Sequence, residues 1–223
     1  MKTRSAEPEG APGATKPLGA GFYVRPVLDV AADLIGCTVV HGTTAGVIVE
    51  TEAYHQQEPA CHAYVGLTPR TSTLFGAPGV AYVYRSYGIH ALLNAVCEPE
   101  GVGAAVLIRA LRPLEGVELM RERRGGAGRG AERELCSGPG RLTQALGIEL
   151  TENGSSLESG PVLIMPREGP APQIVSSARI GITKAAELPW RFSVAGEENV
   201  SKPWPRRGEQ PRGLRRGTPS RSG

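Results

Sequence analysis

The sequence predicts an α+β fold, a single domain with a mostly antiparallel curved β-sheet, short flanking helices and a protruding β-hairpin. Apolar segments of strand length outnumber those with helical spacing, and the connections between them are short. Gly (30 residues) and Pro (19 residues) make up about a fifth of the 223-residue chain, so long helices should be few. The hydrophobic fraction of 40% is enough for one packed core.

The individual elements follow from local patterns, taken in chain order. Residues 27–35 have apolar side chains at helical spacing up to Gly36, which predicts a helix. Residues 37–54 and 81–96 predict two hairpins, the first with a polar turn and a longer second strand. The other predicted elements are a buried strand at 103–111, a helix at 114–125, a Gly-Pro-Gly turn with a short helix at 137–148, and short strands at 162–165, 178–183 and 190–196.

The formal net charge of +3 conceals an uneven distribution of charge along the chain. Residues 202–223 hold seven basic residues and one acidic residue, whereas the body, 20–201, holds 15 basic and 19 acidic residues. Residues 1–19 and 202–223 have almost nothing to bury, so we expect both to be disordered extensions of a domain at 20–201. The basic tail is either a solvated extension or a sequence-independent phosphate contact. The composition excludes an acidic solvating chain, and neither an apolar run of membrane-spanning length nor a secretory signal is visible.

Cysteine and histidine spacing gives no metal site. The four cysteines stand singly at positions 37, 61, 97 and 136, and the sequence has no CxxC pair and no HExxH string. We therefore expect reduced, mostly buried thiols and no metal. The sequence also lacks a phosphate-binding loop, a dinucleotide fingerprint and a GxSxG nucleophile elbow.

The string VIVETEAY (47–54) is the first segment that suggests chemistry. Its two carboxylates are either solvated on a surface strand or are the acid pair of a hydrolase. Residues i and i+2 of a strand lie roughly 6.5–7 Å apart, close to the carboxylate separation of inverting glycosidases. Because side chains alternate faces along a strand, one face should carry Glu50, Glu52 and Tyr54, and the other Val49, Thr51 and Ala53.

Aromatic residues and one arginine add a possible pocket. Five of the six Tyr residues and Phe75 fall between residues 54 and 87, which suggests a stacking pocket rather than a general core. Tyr87 precedes Gly88 at the expected tip of the second hairpin, where it is either a wedge between base steps or a surface residue. Arg109 ends an otherwise apolar strand, where it either pairs with the acids of the ETEAY strand or reaches solvent.

Several uncommon strings occur in one order and carry a resemblance to a known family. VETEAYHQQEPACHA (49–63), TPRTSTLFGAPGVAYVYRSYGIHALLN (68–94), GVGAAVLIRALRPLEG (101–116), ELCSGPGRLTQALGI (134–148) and ARIGIT (178–183) resemble the alkyladenine, or 3-methyladenine, DNA glycosylases of the mammalian type. The resemblance extends from about Val27 to Gly196, outside the tails and residues 149–173. It implies a bacterial-like member that flips alkylated purines out of duplex DNA and hydrolyses the N-glycosidic bond, leaving an abasic site.

The resemblance implies chemical roles for three positions. Glu52 matches the general base that activates a water, and Arg109 and the backbone carbonyl of Ile180 match the groups that hold this water. Glu52 would also stabilise the positive charge that develops on the sugar. The resemblance further implies a site without metal or cofactor and a partner that is damaged double-stranded DNA. We expect a monomer in the cytoplasm, associated with the nucleoid and not with a membrane.

The resemblance also implies a pocket for the flipped base. Tyr54 and His62 match one wall of this pocket, and Tyr84 matches the opposite wall. Asn94 matches the side chain that crowds the 2-amino group of guanine.

Four positions correspond to expected contacts with the duplex. Tyr87 matches the residue that is inserted in the minor groove in place of the flipped nucleotide. Leu74 and Arg141 match DNA-contacting positions. Arg85 stands where mammalian relatives are apolar, so it is either an added phosphate contact or a solvated residue.

Two other functions are compatible with parts of the sequence. The string SGPGRLTQALG resembles the turn of a helix-hairpin-helix motif, which would indicate another glycosylase superfamily, with a phosphate contact at Ser137–Arg141. A non-catalytic nucleic-acid-binding protein is the other alternative. The chain has only four Lys residues, at 2, 16, 184 and 202, and none lies in a cluster described above. We therefore predict a monofunctional enzyme with no amine nucleophile.

Deletion of residues 202–223 should weaken DNA binding mainly at low salt. The seven basic residues of this tail release counterions when they meet phosphates, so the deletion should flatten the plot of log affinity against log salt, by about 0.9 in slope for each lost contact. The measurement is fluorescence anisotropy on a labelled duplex across a salt series. An unchanged slope would assign the tail to solvent.

Overall fold

Short helices and strands make up the part of the chain that the structure, a computed structural model, describes: residues 16–86, 88–125 and 131–204. Its α-helices are α1 (Ala20–Tyr23), α2 (Val27–Asp33), α3 (Val117–Arg123) and α4 (Pro139–Leu146). Its strands are β1 (Thr38–His41), β2 (Thr44–His55), β3 (Ala81–Ser86), β4 (His90–Val96), β5 (Ala104–Glu115), β6 (Val162–Met165), β7 (Ile174–Ser177) and β8 (Arg191–Val194). Single 3₁₀ turns lie at His62–Val65, Ser72–Phe75, Glu132–Glu134 and Leu150–Glu152.

The strands form one curled antiparallel sheet in the order β3-β4-β5-β2-β1-β6. On the edge opposite β5, strand β2 pairs with β1 through Thr44–Val47 and then with β8 through Glu50–Glu52. Strand β7 extends the sheet beyond β8. The middle of β2 is therefore enclosed between β5 and β8. The predicted α+β fold with an antiparallel curved sheet is confirmed.

The two central strands are buried on both faces. Every residue of β5 from Ala104 to Leu111 is buried, as are residues 48–53 of β2. A strand covered on both faces reads as a nearly continuous apolar run, because each side chain leaves water. The sequence AAVLIRAL has this character, with Arg109 as its one polar side chain.

Helices α2 and α4 cover one face of the sheet and form the main core with it. The buried apolar side chains of α2 and its C-cap residue stand at positions 27, 30, 31 and 34, the spacing of one helical face. In α4, Leu142, Ala145 and Leu146 are fully buried in the same core. The helix ends at Gly147, whose φ of 74° lies in the left-handed region that glycine adopts without strain. The other face of the sheet is left to a small aromatic cluster and to the site described below.

Most predicted elements are confirmed, with shifted ends in several cases. Helix α2, the β1–β2 and β3–β4 hairpins, α4 and β6 lie where the patterns predicted them. Strand β5 continues to Glu115, so the helix expected from residue 114 begins at Val117. Helix α1 and strand β7 were not predicted.

The strand predicted at 178–183 is wrong. These residues form a loop, and the nearby strand, β7, ends at Ser177. The alternation of Ile180 and Ile182 that suggested a strand has another cause, because both residues line a cavity. None of the helices within the described ranges is long and apolar enough to cross a membrane.

Candidate active site

A paired irregularity, which consists of two adjacent shifts of register between β2 and β5, shapes the site. The pairing of β2 with β5 passes over Val49 on one strand and over Arg109 on the other. Bulges of this kind re-aim side chains and are frequent beside active sites. Val49 packs with Ala110 and Val200 in a small separate cluster, so the prediction that it shares a face with Thr51 and Ala53 is wrong.

After this irregularity, from Thr51 to Tyr54, the side chains of β2 alternate between the two faces of the sheet as predicted. Thr51 donates a hydrogen bond to the carbonyl of Ala31 in α2, and Ala53 lies in the main core. Glu50, Glu52 and Tyr54 share the opposite face, since both carboxylates bind Arg109 and the Tyr54 hydroxyl binds Glu52. The two acids are therefore not solvated on a surface strand.

Glu52 is fully buried and has three donors. Its Oε1 accepts the Ile180 N–H at 2.7 Å, and its Oε2 accepts the Tyr54 hydroxyl at 2.8 Å and Nη1 of Arg109 at 3.1 Å. Burial raises the pKa of the Glu52 carboxyl, with a smaller rise from Glu50, while Arg109, the Ile180 N–H and Tyr54 act to lower it. Burial and the nearby Glu52 raise the pKa of the Tyr54 phenol, which therefore stays protonated and donates.

Behind Glu52 lies a buried ion network formed by Glu50, Glu52, Arg109, Arg191 and Ser201. Oε1 of Glu50 accepts Nε of Arg191 at 2.6 Å, Nε of Arg109 at 3.2 Å and the Ser201 hydroxyl at 2.9 Å. Its Oε2 accepts the Ser201 N–H at 2.8 Å. Arg191 and Ser201 were missed in the sequence. The signal that identified Arg109, a lone arginine in an apolar strand, is also present in WRFSV and could have identified Arg191.

An aromatic cavity of about 440 Å³ opens in front of Tyr54 and Arg109. Tyr82 and Tyr84 stack on one another with ring centroids 5.3 Å apart, and the His62 ring meets Tyr84 edge-to-face at 4.6 Å. Nδ1 of His62 also lies 3.1 Å from the Tyr82 hydroxyl. The predicted grouping of His62 with Tyr54 is therefore not how the rings pack, because His62 belongs to the Tyr82 and Tyr84 side.

The electrostatics of this cavity keep His62 neutral. Burial, and then the positive charge of Arg70, lower the pKa of the His62 imidazole. Arg70, which is exposed, and Tyr82, which is buried, both line the cavity. Tyr82 belongs to the aromatic group for which the sequence predicts a stacking pocket, whereas Arg70 was not predicted as a site residue.

Two further predicted residues line the same cavity. Asn94 is buried, and its Nδ2 donates hydrogen bonds to the carbonyls of Tyr82 and Leu92. These bonds fix its side chain beside the stacked rings. Leu74, predicted as a DNA contact, is only 2% exposed. Its side chain lines the cavity and is not part of the outer surface.

The predicted surface contacts lie around the mouth of the cavity. Arg85 is exposed at the end of β3 and lines the cavity. Arg141 is exposed on α4 and donates to the Ser137 hydroxyl, while Pro139 at the start of that helix lines the cavity. Tyr87 lies outside the described residues.

The four cysteines are free and buried, as the sequence predicted. Over residues 16–86, 88–125 and 131–204, no three His, Cys, Asp or Glu side chains form a group that could hold a metal ion. The helix-hairpin-helix alternative is not supported by the fold, because within the described residues 131–138 a 3₁₀ turn at Glu132–Glu134 leads into Ser137 and α4.

The chain is similar to known proteins over most of its length. The sequence profile of the methylpurine-DNA glycosylase family (MPG) matches residues 21–198. A protein of Rhodopseudomonas palustris named provisionally as a 3-methyladenine DNA glycosylase is 51% identical over 209 residues, which cover 92% of this chain and 100% of the relative. A Rubrobacter xylanophilus protein with the same provisional name is 58% identical over 189 residues, 82% of this chain and 95% of the relative. The chain belongs to the methylpurine-DNA glycosylase family.

Proposed function

We propose that this protein excises alkylated purines of the 3-methyladenine type from double-stranded DNA, using a water that Glu52 activates. The observation that carries the proposal is the fully buried carboxylate of Glu52, held by Arg109, the Tyr54 hydroxyl and the Ile180 N–H, whose residues all line the aromatic cavity. The family supports a DNA base-excision repair glycosylase, and the site supplies the groups that such hydrolysis needs.

The cavity suits a flat, cationic base. An alkylated purine that leaves the stack can lie against the faces of Tyr54 and Tyr84, and its positive charge is attracted by such rings. His62 supports this choice because its lowered pKa keeps the imidazole neutral, so it places no cation beside a cationic base. Asn94, fixed beside Tyr82, is suited to exclude bases by the substituents at their edge.

Glu52 would carry both parts of the chemistry. As a carboxylate it accepts the proton of the attacking water, and its charge stabilises the sugar cation that forms as the base leaves. Arg109 alone would oppose that cation, but Glu50 binds the same guanidinium and offsets its charge. The Ile180 N–H is committed to Glu52, and the water contact proposed for the Ile180 carbonyl rests on the family resemblance.

Binding to the duplex would use residues around the cavity mouth. We assign phosphate contacts to Arg85 and Arg141, insertion in the minor groove to Tyr87, and contact with the flipped base to Leu74. We also propose that the enzyme acts as a monomer. The site of action would be chromosomal DNA in the nucleoid.

Glu52→Gln should abolish base release while lesion binding is retained. The amide keeps the shape of the side chain but cannot accept a proton, so we expect a loss of about 10²–10⁴-fold in the single-turnover rate. Release of 3-methyladenine from methylated duplex DNA measures the rate, and a gel-shift assay measures binding. Equal release by both proteins would reject Glu52 as the base. No release by the parent protein would favour a non-catalytic DNA-binding function.

Activity should fall at low pH, with a midpoint above the ordinary Glu pKa. The base must be ionised, and burial raises the pKa of the Glu52 carboxyl, so protonation inactivates the enzyme at a higher pH than for an exposed Glu. Glu50→Gln removes a neighbouring negative charge that raises this pKa, so the acidic limb should move to lower pH. Single-turnover rates between about pH 4 and 8 test this. The control is Glu98→Gln, because Glu98 binds the Val27 N–H and His55 and does not line the cavity. A limb that stays in place would contradict the charge coupling.

Borohydride should trap no covalent adduct between this enzyme and DNA. Lys16, Lys184 and Lys202 are exposed, and no lysine lines the cavity within the described ranges. A monofunctional enzyme leaves an intact abasic strand. The assay is denaturing electrophoresis after reaction with and without borohydride, with a bifunctional glycosylase as positive control. A trapped band would indicate an amine nucleophile.

A further inference from the structure

Arg179 makes four hydrogen bonds near the cavity, and it touches none of the reacting groups directly. It is buried in the loop 178–185, one residue before Ile180. Its Nη1 and Nη2 bind the two oxygens of Glu58 at 2.6 and 2.9 Å. Nη1 also donates to the Ala53 carbonyl at 2.9 Å and Nη2 to the Ala185 carbonyl at 3.3 Å. One guanidinium thus joins β2, the turn after β2 and its own loop.

The same guanidinium lies over two aromatic rings. Its central carbon is 4.6 Å from the centroid of Tyr54 and 5.3 Å from that of Trp190. Tyr54 is the ring that lines the cavity and binds Glu52 through its hydroxyl. A cation on a ring face holds the ring in one orientation and leaves the other parts of its surface for the cavity.

We propose that Arg179 is the positioning residue of the site, acting on Glu52 through Tyr54 and Ile180. The inference rests on the role of Glu52 proposed above. Two of the three donors to Glu52 depend on the contacts of Arg179, which together form a clamp. The Ile180 N–H depends on the clamp because Arg179 fastens a loop that has no strand pairing. The Tyr54 hydroxyl depends on it because Arg179 packs on the Tyr54 ring. The third donor, Arg109, belongs to the separate network of Glu50.

The arginine fork is the feature that the clamp requires. A lysine keeps the positive charge but cannot bind Glu58 through two parallel hydrogen bonds or stack its planar group on Tyr54. Arg179→Lys therefore separates positioning from charge. Glu58→Asp makes the same separation from the other partner, because it keeps the carboxylate charge but withdraws it from the fork.

The expected result is a slower reaction with an altered pH profile. A displacement of Glu52 by about 1 Å costs on the order of 10²-fold, so Arg179→Lys should reduce the single-turnover rate at neutral pH by about 10- to 100-fold, and Glu58→Asp by less. Loss of the Ile180 N–H removes a contact that lowers the pKa of Glu52, so the acidic limb should move to higher pH in both variants. The other charged or titratable groups that face Glu52 keep their charge: Glu50 and Tyr54 on β2, Tyr84 on β3, Arg109 on β5 and, through Glu50, Arg191 on β8.

The matched control is Arg167→Lys. Arg167 also fastens a loop to backbone carbonyls, those of Asp33 and Ile35, but it does not line the cavity. This variant should lower the melting temperature and leave the rate and the acidic limb near those of the parent. The experiment measures single-turnover release of a methylated purine from duplex DNA against pH, together with thermal melting, for the full chain and the three variants.

The outcomes separate three cases. A shift of the limb to higher pH in Arg179→Lys and Glu58→Asp, absent in Arg167→Lys, supports the proposal. The proposal is overturned if the acidic limbs stay in place, whether the rate is retained or falls equally at every pH. If Arg179→Lys does not fold, the pH profile of Glu58→Asp alone decides between these results. If the parent protein releases no base at any pH, the proposed function itself fails, which is a different result from an active parent whose variants keep its pH profile.

Discussion

Burial of carboxylates at one corner of the sheet is the constraint on which this molecule depends. Removing a carboxylate from water costs several kcal/mol unless opposite charge and hydrogen bonds replace the lost hydration. In the described residues, three buried arginines offset the charge of three buried carboxylates. The buried charged side chains within the described residues are Glu50, Glu52, Glu58, Arg109, Arg179 and Arg191.

The three arginines come from distant parts of the chain, so neutralising the acids also assembles the site. Arg109 belongs to β5, Arg179 to the loop after β7, and Arg191 to β8, whereas the acids belong to β2 and the turn that follows it. Ser201, near the end of the described chain, also contributes to the site, because it donates to Glu50 from both its N–H and its hydroxyl. Glu52 differs from the other two acids because all three of its donors, Tyr54, Arg109 and Ile180, belong to residues that line the aromatic cavity. Burial raises the pKa of its carboxyl, which lies behind these cavity residues.

The sheet provides the rigid support for this chemistry. The middle of β2 is held by β5 on one edge and β8 on the other, and the paired irregularity at Val49 and Arg109 aims the arginine at both Glu50 and Glu52. A regular pairing would have placed Val49 on the core face, whereas the bulge leaves it in a separate apolar cluster with Val200. The same bulge therefore contributes to catalytic geometry and to packing of the C-terminal segment.

Local pattern alone determined much of this protein. Helical spacing identified α2 and α4, turn residues identified the two hairpins, and the uncommon strings identified the family and the positions of Glu52, Arg109 and Tyr84. These features are readable because they depend on neighbours in the chain. Tertiary structure decided the rest: which ring His62 packs against, why 178–183 is a loop, and that Arg179, Arg191 and Ser201 complete the site. Such contacts join residues as much as 151 positions apart, as from Glu50 to Ser201, and buried charges find their partners only when the sheet brings those residues together.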